Sequence, residues 1–151
     1  MTPTASLLLL SLLLLSCSGP RPTPLPDFNG LLRQNASSRR DPALAQRWLA
    51  SLTLRGGRER VDLVDLGSRQ PVPLPGLNRA DAQPISVSVS ADGTRLAVVQ
   101  QRDERTELVL YRRNVGTVQR LPLEPPGVPR SVSLNADGRR LAVQVSRGGR
   151  W

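Results

Sequence analysis

Between residues 85 and 123 the apolar and polar positions follow a strand pattern and then tighten into short apolar runs. Ile85-Ser-Val-Ser-Val-Ser90 alternates a large apolar residue with a small polar one. This period of two predicts a half-buried strand, and its serines suit an innermost place where sheets crowd together. Asp92-Gly93 predicts the hairpin turn that follows, with the glycine taking a positive φ at no steric cost. Leu96-Ala-Val-Val99 and Leu108-Val-Leu-Tyr111 are continuous apolar runs, as expected of strands covered on both faces. Val118-Gln-Arg-Leu-Pro-Leu123 and Pro71-Val-Pro-Leu74 carry proline, which a sheet tolerates mainly on an edge strand. The predicted order within one unit is inner, middle, middle, edge.

The unit repeats. Ser88-Val-Ser-Ala-Asp-Gly-Thr-Arg-Leu-Ala-Val98 returns as Ser133-Leu-Asn-Ala-Asp-Gly-Arg-Arg-Leu-Ala-Val143, an offset of 45 residues. A fainter copy, Arg47-Trp-Leu-Ala-Ser-Leu-Thr-Leu-Arg-Gly-Gly-Arg58, aligns with Arg140–Arg150 when Leu49-Ala50 is matched to Leu141-Ala142. Gln70-Pro-Val-Pro-Leu74 similarly matches Gln119-Arg-Leu-Pro-Leu123. A period of about 40–50 residues is that of a four-stranded propeller blade.

The first unit is predicted to have three strands (about 47–54, 59–66 and 70–74), the second four and the third two, nine in all. Asp41-Pro42-Ala-Leu-Ala-Gln46 reads as a helix start, with Asp at the N-cap and Pro at the first helical position. A helical turn or two is therefore expected where the first unit's inner strand belongs. Trp48, just ahead of the faint copy's Leu-Ala, is expected in the core, and Trp151 at the start of a further strand.

Composition supports an all-β chain and narrows its chemistry. Fourteen prolines and twelve glycines in 151 residues suit short strands joined by turns. Aromatics are only 3%, so the core must be built from Leu, Val and Ala. There is no histidine and no lysine, and there is a single cysteine. Serine–histidine and cysteine–histidine dyads, lysine Schiff bases and nearly all zinc sites are thereby excluded. No cofactor or metal site is expected. The net charge of +9 is carried by arginine, scattered with no run of five or more, so no nucleic-acid-binding tail is read.

At the amino terminus Ser6–Ser16 is apolar over about eleven residues, too short for the roughly 20 that span a bilayer as a helix. Gly19-Pro20 ends it, and the segment reads as the apolar part of a secretory signal. Its last residues, Leu14-Leu15-Ser16-Cys17, resemble the bacterial lipobox. The resemblance implies cleavage between Ser16 and Cys17, lipid on Cys17, and a place on the periplasmic side of the cell envelope. Ser18 after the cysteine implies the outer rather than the inner membrane. The expected division is a signal peptide at 1–16, a lipidated cysteine with a proline-rich flexible tether at 17–40, and propeller repeats at 41–151.

Ser90-Ala-Asp-Gly-Thr-Arg-Leu-Ala97 and Asn135-Ala-Asp-Gly-Arg-Arg-Leu-Ala142 resemble the repeats of TolB-type β-propellers. There a strand ends in Ser-Pro-Asp-Gly-x-x-Leu/Ile-Ala; here Ala91 and Ala136 replace the proline. The implied fold is two to three antiparallel propeller-type blades, an incomplete ring where the family has about six. Asp92, Gly93, Asp137 and Gly138 are then turn residues.

The expected function is a non-catalytic module that binds another envelope protein or associates with itself. Three chains completing a ring is one form of self-association. Two other readings are an arginine-mediated binder of anionic lipid or envelope polymer, with Arg95, Arg139 and Arg140 as contacts, and a degenerate propeller remnant. A carboxylate-only hydrolase would have to use Asp92, Asp137, Asp62 and Asp65.

Overall fold

Hydrogen bonding sorts ten strands into three antiparallel meanders. They belong to a computed structural model that describes residues 22–34 and 38–149; Ser16, Cys17 and Trp151 lie outside it. Blade 1 is β1 (Arg39–Ala45), β2 (Trp48–Arg55), β3 (Arg58–Asp65) and β4 (Gln70–Val72), paired in that order. Blade 2 is β5 (Ala82–Val89), β6 (Arg95–Arg102), β7 (Arg105–Arg112) and β8 (Thr117–Leu121), again in chain order. The third sheet is the hairpin β9 (Val128–Leu134) and β10 (Leu141–Ser146). The expected order of inner, middle, middle and edge is that of blade 2, and the described residues are all-β apart from one helix.

The repeat alignment is also the structural one. Leu49, Leu96 and Leu141 each stand near the start of a second strand, opposite Leu44, Val89 and Leu134 of the strand before. β5 lies between β1 and β9, so the three inner strands run side by side. Successive side chains on β6 enter two different cores. Leu96 and Val98 face blade 1 with Leu52, Leu63 and Val87, while Ala97 and Val99 face the third sheet with Val132 and Leu134. That double burial is why the middle strands are continuously apolar.

The first core contains the buried Trp48 and the fully buried Tyr111, whose hydroxyl donates to the Pro75 carbonyl at 2.9 Å. The second is closed only over its inner half. Leu63 and Leu110 hold matching positions, opposite Ala50 and Ala97, yet Leu63 is 1% exposed and Leu110 is half-buried. The third sheet has no described third strand to lie over Leu110.

One expectation is corrected. Residues 41–46 do not begin a helix: β1 runs through Asp41 and Pro42 to Ala45, and the first blade has four strands. The Asp carboxylate does accept a backbone N–H, as an N-cap would, but the donor is Val87 of blade 2 at 2.6 Å. Asp41 sits at φ 52°, where the β1–β2 register shifts. Pro42 corresponds, 45 residues earlier, to Val87, whose N–H points away from its own sheet. The missing proton therefore costs no ladder bond at this edge.

The one helix among the described residues, α1 (Pro26–Gln34), falls within the stretch expected to be tether. Proline begins it and Asp27 lies in its first turn, where an anion is favoured by the unpaired N–H groups. Phe28 is buried, and Asp27 pairs with Arg69 of the β3–β4 turn at 3.6 Å, which ties α1 to blade 1.

Candidate functional site

The inner strands are joined by side chains rather than by a backbone ladder. Ser86 Oγ accepts the Val132 N–H at 3.3 Å, and Ser88 Oγ accepts the Leu134 N–H at 2.9 Å. Asp41 does for Val87 what Ser86 does for Val132, since both pairs are separated by 46 residues. The small polar residues of the inner strand, read as space-savers, are thus the acceptors for the next sheet's outward N–H groups.

The Asp-Gly segments form the expected turns, with φ of 68° at Gly93 and 67° at Gly138. Asp92 accepts from the Ser90 hydroxyl and from the Thr94 N–H at 3.0 Å and hydroxyl at 2.8 Å. Asp137 accepts the Arg139 N–H at 2.7 Å. In blades 1 and 2 the residue before Leu-Ala packs on the next sheet's turn. Trp48 lies where a Cβ on Gly93 would stand, and Arg95 donates to the carbonyls of Asp137 and Gly138. Arg47 and Arg113 stack on the Trp48 ring, with guanidinium carbons 5.0 and 4.9 Å from its centroid. Arg113 also donates to the Gly93 carbonyl at 2.7 Å.

These bonds give the predicted arginines different situations. Arg95 spends its guanidinium on joining blade 2 to the third sheet. Arg139 and Arg140 donate their backbone N–H groups to Asn135, and both are exposed at the same end of the molecule. Neither Trp48's seat nor the arginines around it could be read from the sequence, where the only sign was the repeated position ahead of Leu-Ala.

The carboxylates considered for catalysis are held in frame interactions. Asp62 accepts from Thr53 at 3.0 Å and Arg55 at 2.8 Å, and Arg39 stands 3.5 Å away. Asp65 pairs with Arg47 at 3.1 Å and accepts the Gly67 N–H at 2.9 Å. Hydrogen bonds from Ser90 and then Thr94 hold the Asp92 carboxyl down at about 2. A general acid needs a raised value near the working pH, and this is the opposite shift.

A pH prediction follows from that direction. With its folded value below its unfolded one, Asp92 contributes stability above about pH 4 that is lost as the pH falls toward 2. Asp92→Asn is expected to flatten the acid limb of thermal stability over that window while leaving stability at pH 7 lower than wild type. Unfolding temperature measured from pH 7 to 2 reads both effects.

Two of the clefts along the frame border blade 2. One of about 600 Å³ lies between blades 1 and 2 at the end opposite the Asp-Gly turns, lined by Leu54, Glu59, Asp81 and Arg102 among others. Its charges are paired: Asp81 bonds Arg79 and Arg102 at 2.9 Å each, and Glu59 bonds Arg40. The Arg79 hydrogen bond, chiefly, holds the Asp81 carboxyl at about 2. The other, of about 470 Å³, opens beside β7, β8 and the start of β9, where the second core is unfinished.

No family model and no curated protein matches the chain. Among solved structures it is similar to TolB from Acinetobacter baumannii, with a TM-score of 0.56 at 20% identity over 72% of this chain. The matched part is 27% of the TolB chain. At that identity the likeness is one of fold. The blades described above have the architecture of a TolB-like propeller fragment, all-β and antiparallel, as the Ala-Asp-Gly repeats implied.

Proposed function

We propose that this chain is an exported envelope protein, held on the periplasmic side of a membrane by lipid on Cys17, whose blades bind another envelope protein without catalysis. The observation that carries the reading is the employment of every candidate catalytic carboxylate in the frame. Asp92 and Asp137 shape turns, and Asp62 and Asp65 are ion-paired. A TolB-like fold supports the same reading, because blades present sheet edges and turn-lined ends rather than a single reaction centre. Binding here requires no cofactor and no nucleic acid. The lipobox-like Leu14-Leu15-Ser16-Cys17 supports the anchor, and Ser18 favours the outer membrane. Several acyl chains together hold a protein on a bilayer far more firmly than one.

The anchor is tested by labelling cells with radioactive palmitate. Wild type should carry label and sediment with membranes, and Cys17→Ala should lose both properties. Label on the Cys17→Ala chain, or an unlabelled soluble wild type, would remove the lipid anchor from this reading. Co-purification from the membrane fraction then asks for the protein partner, and its absence under crosslinking would remove the binding module.

A further inference from the structure

The face of blade 2 that meets blade 1 is covered unevenly. β4 pairs with β3 only at Leu63, Val64 and Asp65. Lower on β3 a side chain stands in for the strand: Asn78 accepts the Val61 N–H at 2.8 Å and donates to the Val61 carbonyl at 2.9 Å. The chain leaves the edge there and crosses to β5. A cleft of about 660 Å³ opens between residues 76–79 and the outer half of blade 2. Every residue that lines it belongs to blade 2 or to the loop joining blades 1 and 2.

Its floor holds the buried Val109 and a buried amide: Gln100 is 5% exposed and donates to Glu107 at 2.8 Å. Its rim carries Arg79, Arg102, Arg105 and Arg120. Arg102 and Arg105 are direct cross-strand partners at the end of the β6–β7 hairpin, and both face the cleft. Like charges placed opposite one another in a ladder repel. Blade 1 has the same pairing in Arg55 and Arg58, but there each guanidinium has an acceptor of its own. Arg55 donates to Asp62 and Arg58 to the Arg79 carbonyl, both at 2.8 Å.

In blade 2 the acceptors fall short. Arg102 bonds Asp81 through Nε at 2.9 Å, and Arg79 bonds the same carboxylate. Asp103, 3.7 Å from Arg102, is 81% exposed on the turn. Arg120 comes no nearer than 3.5 Å to Glu107, and Arg105 has no hydrogen bond or ion pair among the described residues.

We propose that this cleft binds a phosphate monoester, with the phosphate held between Arg102 and Arg105. Guanidinium forks match the oxygens of such a group and bond them in pairs. Near neutral pH a phosphate monoester carries close to two negative charges, which offsets the repulsion between the opposed arginines. The body of the ligand lies over Val109 and Val118, where the Gln100 amide and the Glu107 carboxylate meet hydroxyl groups. A phosphorylated polyol has this chemistry, whether it is free or forms the head of a lipid. The site uses neither Cys17 nor a protein partner, so it stands apart from the reading above.

The probe is glucose 1-phosphate, titrated into the full chain in detergent and followed by the Nε–H signals of isotope-labelled arginine. Saturable binding should shift Arg102 and Arg105 and leave Arg139 and Arg140, at the other end of the molecule, unmoved. Glucuronate and the methyl diester of the probe carry one negative charge each and should bind at least about tenfold more weakly. Arg105→Gln should also weaken binding about tenfold or more, while the ligand-free variant unfolds no earlier than wild type because an opposed charge is gone. Arg105→Lys, which keeps the charge and loses the fork, should bind between the two. Dihexanoyl phosphatidic acid tests the lipid source; tighter binding of either monoester supports the site and names its source. Failure of both monoesters to bind, glucuronate binding as tightly as glucose 1-phosphate, or undiminished binding by Arg105→Gln would each overturn the proposal.

Discussion

Gly93→Ala is expected to cost about 2–5 kcal/mol, the sum of roughly 1–2 for an L-residue in the left-handed region and 1–3 for overpacking. The backbone there has φ of 68°, and a Cβ would stand 2.3 Å from the Trp48 ring. That ring cannot retreat, because Arg47 and Arg113 lie against it and the surrounding core is closed. Gly138→Ala is the control. Its φ of 67° is the same, but a Cβ there would stand 2.9 Å from Arg95 Cδ and 3.1 Å from Ser90 Cβ, a milder crowding than the 2.3 Å at the Trp48 ring. Its cost should exceed the backbone part of about 1–2 kcal/mol and stay below that of Gly93→Ala. Urea unfolding at constant slope measures both. The decisive comparison is Gly93→Ala made on Trp48→Ala, where only the backbone part should survive. An undiminished cost in that background would show that the ring contact is not the cause.

The second large effect is expected from Ser86→Ala combined with Ser88→Ala. Each change deprives a buried N–H, of Val132 or Leu134, of its acceptor. An orphaned buried donor costs about 1–3 kcal/mol, so the pair should cost about 2–6. The loss falls on the junction between blade 2 and the third sheet. Hydrogen exchange should therefore accelerate through Val128–Ser146 first, while the core around Trp48 keeps its protection. Ser133→Ala is the matched control, since Ser133 holds the position of Ser88 one repeat later and is exposed. An exposed substitution of this kind usually stays within about 0.5 kcal/mol. Equal losses from the two serine positions would mean that their hydroxyls act within their own strand.

The repeat made most of the blade legible. A period-two inner strand, an Asp-Gly turn and a doubly buried Leu-Ala strand are local patterns, and each reappears where it was expected. The same locality explains the failure at Asp41-Pro42. An Asp ahead of Pro states that a carboxylate will cap a nearby N–H and that one ladder donor is missing. A helix start satisfies both conditions, and so does an edge strand whose carboxylate reaches the neighbouring blade. Only the packing of β1 against β5 separates them. α1 escaped notice for a related reason: one proline, one Asp and a few apolar residues are too short a signal to hold a helix without the blade beside it.

For the candidate sites, the turn roles of Asp92, Gly93, Asp137 and Gly138 were in the sequence, because they depend on residues within a few positions of one another. The role of Arg95 was not. Its contacts lie 42 and 43 residues away, and a charged residue beside a turn reads equally as a surface contact. Amino-acid order alone thus determined the strand period, the turn chemistry and the poverty of catalytic groups, all matters of neighbouring residues and composition. Tertiary structure decided which N–H groups Asp41, Ser86 and Ser88 serve, and what seats Trp48. Those outcomes are settled between units some 45 residues apart, where close packing and the demand of buried donors for acceptors choose among partners that local pattern leaves equivalent.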